Sequence, residues 1–171
     1  MVIDIKEVLA NSGKVIDRTV PVEADVLEIG GRSYEIVKKQ PMRIIISGQG
    51  NNKAVLKGWA HISVNIPCDR CLTDVETDFE FDIEKDLDFD KPADEFEDEA
   101  YIEDGELDTE KLLLSEVIMN FPTKTFCKDS CKGLCPVCGG NLNVIDCGCD
   151  REVPDPRMAA IKDLFKDFKE V

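Results

Sequence analysis

Eight cysteines in a chain of 171 residues fall into four close pairs. Cys68 and Cys71 are spaced C-x2-C, Cys127 and Cys131 C-x3-C, Cys135 and Cys138 C-x2-C, and Cys147 and Cys149 C-x-C. Thiolates this near to one another on a tight turn can share a metal ion, with sulfur about 2.3 Å from zinc. The run CPVCGG is a knuckle of that type, because a proline after the first ligand and glycines after the second let amide groups turn toward the sulfurs. CGC can supply two further ligands, so Cys135, Cys138, Cys147 and Cys149 form one expected zinc site. Cys68, Cys71, Cys127 and Cys131 form a possible second one, if the strand that carries the first pair meets the segment that carries the other. A single site drawn from both sets, with thiols left over, is the alternative, and an iron–sulfur cluster also takes four thiolates. The expectation is therefore one or two Zn(2+) ions.

Catalytic chemistry has little to stand on. A redox C-x2-C needs a βαβ setting, which is absent around Cys68. Catalytic zinc keeps one position for water, and the sole histidine, His61, falls on the polar face of its strand. No phosphate-binding glycine loop or nucleophile elbow is present, so the chain reads as non-enzymatic, with no small-molecule substrate.

Charge is concentrated. Asp74 to Glu110 holds 19 acids and 2 lysines, and the remainder 17 acids and 19 bases. Such a belt repels phosphate and attracts basic proteins. Its loop part, 86–106, contributes Asp86, Asp88, Asp90, Asp94, Glu95, Glu97, Asp98, Glu99, Glu103, Asp104 and Glu106 as candidate partner-binding residues. The bases Lys38, Lys39, Arg43, Lys53 and Lys57 are where a small RNA contact would form.

The elements that must position these groups are mainly strands. Two extended runs flank Gly30-Gly31, a hairpin signal. Met42 to Ile46 leads through the turn-rich SGQGNN into a long strand. There Leu56, Gly58, Ala60, Ile62, Val64 and Ile66 take the core face. Val75, Thr77, Phe79, Phe81 and Ile83 then alternate with six carboxylates from Asp74 to Glu84, a half-buried strand. Asp108 N-caps a helix that Pro122 stops, with Leu112, Leu113, Leu114, Val117, Ile118 and Phe121 as its apolar face. Asp155 and Pro156 open a last helix, whose stripe Met158, Ile161, Leu164, Phe165 and Phe168 is expected to dock on this chain or in a partner groove.

The expected class is α+β: an antiparallel sandwich or partial barrel, a packed helix, and a zinc-knuckle tail ending in a helix. The expected division is 1–106, with its acidic loop, and 107–171, with the cysteine-rich stretch 127–149. No apolar run is long enough to span a membrane, and the start of the chain lacks the basic and apolar regions of an export signal. A cytoplasmic protein is the expectation.

PCDRCL after a strand, then CKGLCPVCGGNLN, CGCD and DPRMAAIKDLF, occur here in one order over nearly the whole chain. In these motifs the sequence resembles the YceD family, the large ribosomal RNA subunit accumulation proteins of bacteria and plastids. The full cysteine set is similar to the form found in many Gram-positive bacteria. The resemblance implies a role in accumulation of large-subunit ribosomal RNA and in ribosome assembly. The partner expected from charge is a basic ribosomal protein or assembly factor of the large subunit. The alternative is a zinc module that touches ribosomal RNA directly.

Overall fold

In a computed structural model of the chain, the structure describes residues 1–89 and 100–151. In chain order the elements are β1 (Val2–Asp4), α1 (Lys6–Ala10), β2 (Val15–Val20), β3 (Val26–Ile29), β4 (Arg32–Lys39), β5 (Met42–Gly50), β6 (Lys53–Pro67), β7 (Asp74–Asp88), β8 (Ile102–Glu103), β9 (Glu106–Asp108) and α2 (Thr109–Met119). The expected last helix, with Met158, Ile161, Leu164, Phe165 and Phe168, lies outside the described residues.

The organising strand is β6. Along one edge it pairs antiparallel with β7 over its full length, from Lys53↔Asp88 to Pro67↔Asp74. Its other edge is shared: β5 takes the first half, with Arg43↔Trp59 to Gly50↔Lys53, and β4 takes the second half, with Ile36↔Val64 to Lys39↔Ile62. The chain from Arg32 to Gly50 thus runs along β6 as one interrupted strand. Pro41 explains the break, since it has no N–H to give to a ladder. Outside these two lie β3 on β4 and β2 on β5, which completes a forked six-stranded antiparallel sheet. No pairing among the described residues closes the sheet on itself.

Turn chemistry fixes the hairpins. Gly30 and Gly31 between β3 and β4, and Asn51 and Asn52 between β5 and β6, all have positive φ, as the turns that match strand twist require. The alternation in β6 and β7 sets the core: Leu56, Ala60, Ile62, Val64 and Ile66 are buried, as are Phe79, Phe81, Ile83 and Leu87.

A second, three-stranded sheet has the order β1-β9-β8. Thr109 donates from both its N–H and its hydroxyl to the Met1 carbonyl, at 3.0 and 2.9 Å. This ties the start of the chain to the start of α2. The Asp108 carboxylate accepts from the N–H groups of Glu110 and Lys111, so the expected cap is in place. Leu112, Leu113 and Val117 join the strand core, and Phe121 stacks near Phe79 and Tyr34.

Two elements depart from the sequence expectation. Lys6–Ala10 is a short helix where strands were expected; it sits so close to β5 that a Cβ on Gly48 would lie 2.2 Å from the Val8 carbonyl oxygen. Only glycine leaves room for it. The acidic loop expected over 86–106 is also shorter: Asp86 and Asp88 belong to β7, and Ile102 to Asp108 form the β8–β9 hairpin. The apolar partners of that hairpin, Ile3 and Ile5, come from the far end of the chain.

Candidate metal centres

Two sets of four sulfurs converge in the structure. Cys68, Cys71, Cys127 and Cys131 form one set and Cys135, Cys138, Cys147 and Cys149 the other; within each, all sulfurs lie within 4.8 Å of one another. None is joined in a disulfide. In the first tetrad the Cys71 and Cys127 sulfurs are 3.5 Å apart and those of Cys68 and Cys131 3.9 Å. Four sulfurs about 2.3 Å from a tetrahedral ion would stand about 3.8 Å apart. The donor set and its spacing therefore fit a single ion such as zinc at each tetrad, with every corner of the tetrahedron taken by sulfur.

The first tetrad joins the mouth of the β6–β7 hairpin to the segment beyond α2. At the hairpin mouth the Cys68 N–H donates to the Thr73 carbonyl, and the Leu72 N–H to the Cys68 carbonyl, both at 2.9 Å. Leu72 takes the left-handed conformation, φ 59°, to complete the knuckle. The two segments are tied reciprocally: the Asp69 N–H donates to the Thr125 carbonyl at 2.9 Å, and the Thr125 N–H to the Asp69 carboxylate at 2.8 Å. Arg70 reaches the Cys131 carbonyl at 3.2 Å and lies over the Phe126 ring at 4.4 Å. Cys68, Cys71 and Cys131 are buried and Cys127 partly so.

The second tetrad is more open, with Cys135 buried, Cys138 exposed, and Cys147 and Cys149 in between. The Cys135 N–H donates to the Gly140 carbonyl, and the Gly139 N–H returns to the Cys135 carbonyl, each at 2.8 Å. Gly139 and Gly148 have φ of 72° and 61°, which lets CPVCGG and CGC fold back toward a common point. Asn143, in the segment between Cys138 and Cys147, ties that segment to the first tetrad: its side chain accepts from the Lys132 N–H at 3.0 Å and donates to the Cys131 sulfur at 3.3 Å. Asn141 donates to the Thr73 hydroxyl at 3.3 Å and accepts from the Asn143 N–H at 2.9 Å; sequence reasoning did not single out Asn141, Asn143, Thr73 or Arg70, whose signal was the polar GGNLN run and the residues inside and just after CDRC.

The thiols are not equivalent without metal. Burial pushes Cys68 up, but N–H groups of Arg70, Cys127 and Cys71 outweigh it and bring the thiol down to about 6. Backbone N–H groups of Cys138 and Val137 bring Cys135 to about 6 as well, against its burial. Cys127 is pushed up to about 12 by its hydrogen bond to Cys71 and by burial. Cys149 rises to about 12 through Cys147 and Cys138.

The charged candidates distribute differently. Asp86 is exposed on β7, Asp88 pairs with Lys53 at 3.0 Å, Glu103 and Glu106 lie in the β8–β9 hairpin, and Asp104 sits at its turn. Asp90, Asp94, Glu95, Glu97, Asp98 and Glu99 lie outside the described residues. All five bases considered for an RNA contact are engaged: Lys38 with Glu76, Lys39 with Asp25 at 2.8 Å, Arg43 with Asp17 at 2.7 Å, Lys53 with Asp88, and Lys57 with Glu84 at 2.8 Å. His61 is half-buried against Gln40, ring nitrogen to amide nitrogen 3.0 Å. Among the described residues no helix is long and apolar enough to cross a membrane.

Residues 56–165 match the family model described as large ribosomal RNA subunit accumulation protein YceD. The chain is also similar to the uncharacterized protein YlbN of Bacillus subtilis, with 31% identity over 107 residues; the match covers 61% of this chain and 62% of that one. No solved structure matches it. The matched region runs from β6 through both tetrads and covers well over half of the chain, which therefore belongs to the YceD family.

Proposed function

We propose that this protein is a cytoplasmic, non-enzymatic factor in the accumulation of large-subunit ribosomal RNA, acting in ribosome assembly by binding a basic ribosomal protein or assembly factor. The process follows from the family, whose description names large ribosomal RNA subunit accumulation. The mode of action rests on one observation about charge. Lys38, Lys39, Arg43, Lys53 and Lys57 are each committed to a carboxylate, while Asp74, Glu80, Asp82 and Asp86 of β7 are exposed and have no ion-pair partner among the described residues. The surface left over is negative. It would slow approach to a phosphate backbone and speed encounter with a basic protein, more so at low salt.

In this reading the tetrads hold zinc as structural staples. Four sulfurs leave no place for an activated water, and the first tetrad would fasten the β6–β7 hairpin to the C-terminal segment. When bound, zinc supplies cross-linking free energy rather than chemistry.

The test is a pull-down of large-subunit ribosomal proteins on the immobilised full chain, at low and high salt, with and without ribonuclease. Basic proteins should be retained after ribonuclease and released by salt. If retention needs RNA, and is lost when Lys38, Lys39, Arg43, Lys53 and Lys57 are neutralised, direct contact with ribosomal RNA takes the place of this reading.

A further inference from the structure

We propose that the outer edge of β7 is a docking strand, to which an extended lysine- or arginine-rich segment of the partner adds as one more strand of the sheet. The inference rests on the reading that the partner is a basic protein, and specifies where and how it binds.

The edge is long, and among the described residues it is unpaired. β7 spans 15 residues and pairs along one side with β6. No strand among the described residues pairs with its other side. At every second residue the backbone N–H and C=O on that side point away from the sheet, a ready template for another chain. Proteins usually blunt such an edge with a proline, a bulge or a short strand. Asp74–Asp88 contains no proline, and its register with β6 runs without a shift.

The protection that remains is the row of carboxylates on one face, and that protection is selective. Side chains directly opposite one another on neighbouring strands have Cβ atoms about 4.5–5.5 Å apart, and like charges there repel. A second copy of β7 would set its carboxylates against these, so the edge rejects its own kind. It would not reject a strand with a cation at every second position. The fold already uses that pattern on the paired side: Lys57 stands opposite Glu84 and binds it at 2.8 Å, and Lys53 stands opposite Asp88 and binds it at 3.0 Å. Asp74, Glu80, Asp82 and Asp86 are the positions where an incoming strand could repeat it.

The other face of an added strand would lie on the side where α2 packs against β7, where Glu116 meets Lys85 at 3.0 Å and Phe121 stacks near Phe79. At the end of that helix Ile118 and Met119 are 49% and 79% exposed. The geometry points to a segment that alternates cationic and apolar residues.

The probe is a peptide of alternating lysine and valine, compared with its backbone N-methylated counterpart, which keeps the charges and removes every backbone N–H. Both are titrated into the full chain, with amide hydrogen exchange followed across Asp74–Asp88. The unmodified peptide should slow exchange in β7 and bind at least about tenfold more tightly than the methylated one. The double variant Glu80→Lys, Asp82→Lys, on the exposed face, should lose the lysine peptide and bind an alternating glutamate–valine peptide instead. Equal affinity of the two peptides, or unchanged exchange in β7, overturns strand addition. If basic ribosomal proteins are still captured without RNA, the broader reading stands while this one falls. If they are not captured, both fall.

Discussion

In the first tetrad the Cys68 sulfur is surrounded by N–H groups and by other sulfurs, and this decides how the site responds to protons. Against its burial, the backbone N–H groups of Arg70, Cys127 and Cys71 bring Cys68 down to about 6, while the hydrogen bond to Cys71 and burial push Cys127 up to about 12. The sign for the metal-free protein follows from each. Cys68 contributes stability that is present above the ordinary thiol value of 9.0 and is lost as pH falls through about 6. Cys127 contributes stability that is present below 9.0 and is lost as pH rises toward about 12. Bound zinc requires all four as thiolates, so protons compete with it and affinity falls on acidification. Titration from neutral pH to about 5 with a chromophoric chelator present should release zinc with uptake of more than one proton per ion. The exposed Cys138 site should empty before the buried one. Zinc retained at both sites throughout would remove the ligand assignment. The two tetrads also separate by mutation. Cys68→Ser should remove one of two zinc ions and lower the stability of the strand body by roughly 2–5 kcal/mol, because the buried knuckle closes the β6–β7 hairpin. Cys138→Ser should remove the other ion and leave the main melting transition nearly unchanged. Native mass spectrometry and calorimetry read both.

Between α2 and β7 the structure holds a half-buried ion pair that the periodicity of neither element announces. Lys85 occupies an inward position of β7, and Glu116, 9% exposed, meets it at 3.0 Å. Lys85→Met leaves the Glu116 carboxylate buried without its cation and should destabilise by about 1–3 kcal/mol, below the full range for a buried pair because Lys85 is part-exposed. Replacing both residues, Lys85→Met with Glu116→Leu, should recover most of that loss in urea denaturation. An equal loss in the double variant would show that the pair is not what holds the helix there. The same interface shows why some elements were legible and others were not. β6 and β7 alternate over many residues, Asp108 is a cap residue at a sharp start, and Gly30-Gly31 and Asn51-Asn52 are turn chemistry; each signal is local. Lys6–Ala10 is too short to display a helical period and is held by its fit against Gly48 of a distant strand. The β8–β9 hairpin was hidden in an acidic run, because its apolar partners sit at the start of the chain, Ile3 in β1 and Ile5 just after it. The thiol pairs were visible in spacing alone, whereas the meeting of Cys68 and Cys71 with Cys127 and Cys131 depends on where α2 sends the chain, which sequence offered as one of several divisions.

Taken as a whole, the molecule has two bodies of unlike physics. One is a continuous apolar core from Ile3 to Val117, including α1, α2 and the strands. The other is small: Cys68, Cys71 and Cys131, with Val75, Cys127 and Leu134 against them. Between Cys131 and Arg151 the chain exposes Val137, Val144 and Ile145, so this described stretch has little apolar interior to replace the sulfurs. A structural zinc site contributes on the order of 10–16 kcal/mol of apparent binding free energy, as much as or more than the stability of an ordinary domain. Metal and not burial should therefore shape residues 127–149, while the strand core folds by burial alone. Thorough chelation under reducing conditions should separate the two bodies. Amides of 127–149 should lose their exchange protection, and those of β5 and β6 should keep most of theirs. The main thermal transition should persist at a lower temperature, since the hairpin mouth at Cys68 loses its tie to Cys131. Added zinc should restore both the protection and the transition. An unchanged exchange pattern and melting curve after chelation would mean that hydrogen bonds such as those of Asp69 with Thr125 and Asn143 with Lys132 hold the segment without metal.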